Sequence, residues 1–281
     1  MEQLTRKRDC SMKKYIALAA AMSALATPVC AQEETAPAVT VSGSVGLVSD
    51  YRFRGVSQTD EEMAIQGGLT VSHVSGLYAG TWASNLAGWG TFGGSSMELD
   101  LYAGYAKTIG AAKVDVGLTW YMYPGGSDKT DFGEAYAKVS TTVGPLSLLG
   151  GVAYAPPQQA LGNWSNTPQS KAGDKEDNLY LWGDASSGVP GTPFTLKSHI
   201  GYSSGNPGLG PNGTSVTPTG SYWDWSLGAD LKAGPVTLGL SYVDTSIKFR
   251  DTAYLQPNFS STKDGGTIAG AQVVFSVSAA F

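Results

Sequence analysis

From Val39 to the final residue, this 281-residue chain alternates apolar and polar side chains with a period of two. A strand turns successive side chains to opposite faces, so such a run has one greasy and one wet face. "VTVSGSVGLVSDYRFRG" puts Val39, Val41, Val45, Leu47, Tyr51 and Phe53 in one phase, and Thr40, Ser42, Ser44, Arg52 and Arg54 in the other. "SMELDLYAGY" sets Met97, Leu99, Leu101, Ala103 and Tyr105 against Glu98 and Asp100. "KVDVGLTWYMY" and "YWDWSLGADLK" repeat the pattern, and no helical stripe follows the first thirty residues.

The alternation predicts twelve strands, over 39–55, 64–73, 77–85, 96–106, 112–123, 132–142, 145–154, 177–185, 194–202, 222–232, 235–245 and 268–281; ten to fourteen fit the same text. Connections after odd strands are long ("GVSQTDEE", "NLAGWGTFGGS", "APPQQALGNWSNTPQSKAGDKE"). Those after even strands are short ("VSG", "TIGA", "VGP", "AGP"). Long loops at one rim and short turns at the other are the rule for bacterial transmembrane barrels. "GPLSL", "GTPFTL" and "GPVTL" each open a strand after a short turn, which is turn chemistry and no binding motif.

Composition supports a β protein. Charged residues are 15% of the chain and glycines number 37, about three fifths and about double the usual shares. Lys13 and Lys14, the apolar run Tyr15 to Ala26, and small residues at Val29 and Ala31 predict a secretory signal over residues 1–31, with Met12 an alternative start. The run is too short to cross a bilayer as a helix, and "TPVC" is a poor lipoprotein signal. Residues 32–281 then form a single domain without cysteine, since Cys10 and Cys30 both precede Gln32. Without the five basic and two acidic residues of the leader, 13 basic face 21 acidic residues. That balance carries no nucleic-acid footprint.

Two architectures suit alternating strands: a soluble sandwich or jelly roll, and a closed transmembrane barrel. The charged wet face suits an aqueous lumen, and closure satisfies every backbone group in lipid without disulfides. "VVFSVSAAF" closes the chain on an alternating, aromatic-terminated strand ending at Phe281, which reads as an assembly signal for the barrel-assembly machinery. The expectation is an all-β, closed antiparallel transmembrane barrel in the outer membrane of a Gram-negative bacterium. Tyr51 and Phe53 are expected to face lipid near an interface. Arg52 and Arg54 are expected in the lumen, because arginine facing lipid costs about 2–4 kcal/mol.

The blocks "SDYRFRGVSQT", "GLYAGTWASN", "ELDLYAGY", "WYMYPG", "NLYLWGDAS" and "SYWDWSLGA" resemble the TorF-type family of predicted proteobacterial outer-membrane porins. The resemblance spans nearly the whole chain after residue 31. It implies a β-barrel and a pore role, and brings no catalytic set or substrate.

Catalytic motifs fail on context. "GYSSG" (Gly201 to Gly205) has nucleophile-elbow spacing but is followed by "NPGLGPNG", which cannot be helix. "GLGPNG" lacks the helix that a dinucleotide pyrophosphate needs. His73 reads as interfacial and His199, beside Lys197, as a lumen residue. No pairing suggests a metal centre; "GDKED" reads as a solvated acidic loop, and Asn163, Asn212 and Asn258 are sequons in outer loops. No enzyme activity, cofactor or metal is expected. The polar phase supplies the lumen or constriction candidates: Arg52, Arg54, Lys138 and Lys197 against Glu98, Asp100, Asp115, Glu134 and Asp230. Opposed charges across a pore align polar solutes and select by charge; in a small barrel the same groups can instead fill the interior. The expected function is passive diffusion of small hydrophilic solutes or ions with weak cation preference. The alternative is a closed structural or ligand-binding barrel that uses its long loops. Expected partners are membrane lipid, the assembly machinery and the solute.

Overall fold

A computed structural model of the chain describes residues 37–87, 94–126, 129–162, 174–207, 216–256 and 259–281. The signal segment, the three sequons and "GLGPNG" lie outside the described residues.

The strands are β1 (Val39–Val48), β2 (Arg52–Phe53), β3 (Val56–Ser57), β4 (Ala64–His73), β5 (Leu77–Asn85), β6 (Met97–Ile109), β7 (Ala112–Met122), β8 (Phe132–Val143), β9 (Leu146–Gln158), β10 (Glu176–Gly188), β11 (Phe194–Gly205), β12 (Ser221–Ala233), β13 (Val236–Thr245) and β14 (Gln272–Ala280). All but β2 and β3 form one closed antiparallel barrel of twelve strands, each paired with its sequence neighbour and β1 closing on β14. The closing ladder runs from Ser44 opposite Ala280 to Val48 opposite Ser276. Gly43 and Phe281 extend it by exchanging backbone hydrogen bonds at 2.8 and 2.9 Å.

The alternation decides which way each face points. Leu101, Leu118, Leu196, Ile200, Leu227 and Phe275 stand 49–63% exposed on the outside. An apolar belt of this kind around a closed barrel suits the acyl chains of a bilayer. The partners of Leu118 along β7, namely Asp115, Thr119 and Tyr121, are polar and point inward. Exposed Trp120, Tyr154, Trp223 and Tyr242 lie towards the long-loop rim, and Tyr105, Phe194 and Phe281 towards the other. These are the aromatic girdles expected at both interfaces.

Turn chemistry sets the short rim. Gly110, Gly144 and Gly234 take φ of 62°, 59° and 62° as first residues of two-residue turns. A positive φ there, with proline following at 145 and 235, matches type II′ hairpins. Inside the barrel, glycine has a second use. Tyr78 lies over Gly104, Tyr102 over Gly80, Tyr136 over Gly117 and Trp182 over Gly151, so close that a Cβ has no room. Each pair sits opposite in register. The rings lie against the wall over the glycines.

Two strand expectations are corrected. The first strand ends at Val48, not residue 55, and the last begins at Gln272, not 268. In both places the chain leaves the wall for the interior of the long-loop mouth. There, Val56, Tyr222, Ile247, Leu255, Phe259, Ile268 and Ala269 form one apolar core. Leu86, Tyr123, Phe132, Ala155, Ala160, Leu161 and Val216 form another, with Tyr51, Phe53 and Tyr121 against it.

Candidate functional site

The β2–β3 hairpin turns into the barrel because of its own polar groups. Asp50 is buried and organises the entry. One oxygen takes the Arg52 Nε at 2.5 Å; the other accepts from Ser57 at 2.6 Å and Thr59 at 3.2 Å. Arg52 also donates to the carbonyls of Gly55 (2.9 Å) and Gly270 (2.8 Å), which ties the hairpin to the segment before β14. The tip needs left-handed backbone at Arg54 (φ 48°) and Gly55 (φ 79°), and the exit needs it at Asp60 and Glu61 (φ 55° and 61°). Non-glycine residues rarely adopt these angles, and persist there only when their surroundings hold them. Gly55 sits so close to Thr245 and Asp224 that no side chain fits.

The tip residue reaches across the lumen. Arg54 donates to Glu134 on β8 and to Asn178 on β10, both at 2.5 Å. Its guanidinium lies 4.2 Å from the centre of the Tyr180 ring. The Arg54 carbonyl accepts from Tyr222 on β12 at 3.1 Å. Burial opposes the charge on Arg54, but Glu134 outweighs it and raises the guanidinium pKa above its ordinary value. On the opposite side, Tyr51 donates to Glu98 on β6 at 3.2 Å and packs edge-on against Trp82 of β5. Burial first, then Glu98 and Asp100, push the Tyr51 phenol up, so it stays a neutral donor. The hairpin thus touches β5, β6, β8, β10 and β12 and forms a crossbar over the lumen.

Beneath it lies a cavity of about 770 Å³, running from Phe53 and Arg54 to Ser72, Gly76, Ala106 and Lys113 beside the short turns. On its wall Tyr78 donates to Asp115 at 2.5 Å and meets the Tyr136 hydroxyl. Lys138 pairs with Asp115 at 3.4 Å and lies over the Tyr136 ring. Thr70 and Tyr102 share a hydrogen bond of 2.6 Å.

The residues singled out in the sequence therefore separate into three places. Arg54, Glu98, Asp100 and Glu134 are buried together around the hairpin. Asp115 and Lys138 line the cavity. Lys197 and Asp230 pair at 2.7 Å near the short-turn rim, half exposed. Arg52 lies inside the mouth, where it ties the hairpin to itself and to the segment before β14. Tyr51 and Phe53 depart from expectation, because they pack inside the mouth and not against lipid. Alternation cannot reveal this, since the backbone reverses at Arg54 and Gly55.

Sequence reasoning missed one cluster. His199 Nδ1 lies 2.6 Å from Asp184, and its Nε2 lies 3.1 Å from Asp224 and 2.9 Å from the Tyr180 hydroxyl. Asp184 and Asp224 share the polar phase with His199 on three adjacent strands, and only strand register brings them together. Ser203 of "GYSSG" lies within the straight strand β11, with no elbow.

A closed barrel that is apolar outside and polar inside has the fold of outer-membrane porins. The chain belongs to the family Gcw_chp, described as bacterial protein of unknown function, whose model matches residues 31–281. No curated protein matches the sequence significantly. A solved KdgM porin is similar with 9% identity over 85% of this chain and 99% of its own, at a TM-score of 0.51. The KdgM porin in complex with disordered oligogalacturonate follows at 8% identity, 86% and 98% coverage and a TM-score of 0.49. An outer membrane channel from Pseudomonas putida F1 follows at 10%, 90% and 100%, and 0.43. At such identities the likeness speaks for the fold alone.

Proposed function

We propose that this protein is an outer-membrane channel of the TorF type, passing small hydrophilic solutes or ions passively through a lumen narrowed by its first long loop. The observation that carries the reading is the cavity of about 770 Å³, lined by charged and hydroxyl-bearing side chains and held inside a lipid-suited belt, with the Arg54–Glu134 pair at its head. A water-filled interior bounded by opposed charges suits selection by size and charge. Inward carboxylates (Glu98, Asp100, Asp115, Glu134, Asp184, Asp224, Asp230) outnumber inward lysines (Lys113, Lys138, Lys197, Lys232) on the described strands, even with Arg54 added, which favours cations. Export through a cleaved signal and insertion through the strand ending at Phe281 belong to the same proposal. Single-channel recording in planar bilayers with ion substitution tests it. Small, cation-favouring current steps are expected; a reversal potential favouring anions removes the selectivity claim, and absence of steps removes the channel.

The crossbar also favours a second reading, a closed barrel that binds ligands with its outer loops. Solute exclusion in liposome swelling that persists after residues 50–62 are shortened supports that reading instead.

A further inference from the structure

Strand β6 presents Glu98 and Asp100 two residues apart on its inner face, with Cα atoms about 6.5 Å apart. Both are nearly inaccessible, at 1% and 8% exposure. Glu98 Oε1 and Asp100 Oδ1 are buried without any hydrogen-bond partner; Tyr51 donates only to the other oxygen of Glu98. Charge around them does not balance among the described residues. Arg54 is engaged by Glu134 and Arg52 by Asp50. The facing groups Tyr51, Trp82, Ser84, Tyr121 and Tyr123 are neutral, and the sequence between β5 and β6 has no lysine or arginine. Two ionised carboxylates in so dry a place are strongly unfavourable unless a cation accompanies them.

We propose that Glu98 and Asp100 together hold a divalent hard cation, with calcium the best match. A charge of +2 offsets the pair. The donors are all oxygen, and Ser84, opposite Glu98 in the β5–β6 register, adds a hydroxyl. Among the described residues no group of three or more His, Cys, Asp or Glu is arranged to hold a metal. The site is accordingly a weak one, in the range of extracellular calcium modules, about 10⁻⁴–10⁻³ M. Calcium suits it better than magnesium, which demands near-ideal octahedral geometry and sheds water reluctantly. Because Tyr51 bonds to Glu98, the ion also braces the hairpin. The site stands whether or not the lumen conducts.

The test uses the purified mature chain in detergent, with terbium as a luminescent stand-in and calcium as competitor. Trp82 and Tyr51, with ring centres 5.3 Å apart, are placed to sensitise the emission. Saturable emission, displaced by millimolar CaCl₂ and lost in Glu98→Gln/Asp100→Asn, is expected. Calcium at about 10 mM should raise the thermal midpoint of the parent by about 3 °C or more over EGTA, and leave the double variant unmoved. Asp100→Asn alone, which keeps the Tyr51–Glu98 bond, should weaken calcium at least tenfold and serves if the double variant does not fold. An absent calcium shift, or an equal shift in Asp100→Asn, overturns the proposal. So does stabilisation by acid alone, which would mean that protons neutralise the pair.

Discussion

Replacing Arg54 by alanine should release the hairpin from the lumen. Both side chains of the Arg54–Glu134 pair are only 5% exposed, so solvent screening does little to discount its loss. Removing one partner from a buried pair costs about 3–5 kcal/mol, because Glu134 is left as an uncompensated charge. Taking about 4 kcal/mol for the pair alone, the docked-to-undocked ratio falls roughly a thousandfold. Loss of the Asn178 bond and of the stacking on Tyr180 pushes the same way. Val56→Cys offers a clean probe. Val56 is 4% exposed, and the chain has no cysteine after residue 30. Maleimide labelling of the thiol introduced by Val56→Cys should accelerate by about two to three orders of magnitude when Arg54→Ala is added, and single-channel conductance should rise with it. Arg54→Ala/Glu134→Gln should recover most of the protection, since a neutral amide no longer drives undocking. Labelling and conductance within about twofold of the parent in Arg54→Ala would refute the view that this pair holds the crossbar.

Further expectations concern the wall. Gly104→Ala drives a Cβ into the Tyr78 ring and should cost about 1–3 kcal/mol by overpacking; Gly150→Ala, facing open space, should be nearly neutral, and denaturant midpoints in lipid distinguish them. Leu118→Arg, on the lipid side at 63% exposure, should destabilise insertion into vesicles by about 2–4 kcal/mol, whereas its inward neighbour Thr119→Arg should insert normally. Lys138→Gln removes the partner of Asp115 and should shift the reversal potential in a salt gradient towards cations.

The hairpin and the wall differ in how far local sequence explains them. Every expected barrel strand except the first agrees with the structure to within about four residues at either end, because period-two alternation and the glycine and proline turns act over a few residues. Glu98, Asp100, Asp115, Glu134 and Asp230 stand in the polar phase of their strands, which is a local property of the sequence. Alternation did not reveal that Tyr51 and Phe53 turn inward, since their apolar character suits lipid and a rim core equally. Nor did it reveal the cluster of Asp184, His199 and Asp224, whose members come from three strands.

What the amino-acid order determines unaided is therefore the wall: greasy side chains at every second position leave a bilayer-compatible outside and a wet inside, and alternating loop lengths orient the rims. What only the tertiary structure decides is how the inside is filled. Arg54 meets Glu134 across 80 residues of chain and Asn178 across 124, and such meetings exist only once the ring has closed and set the register of every strand against the next.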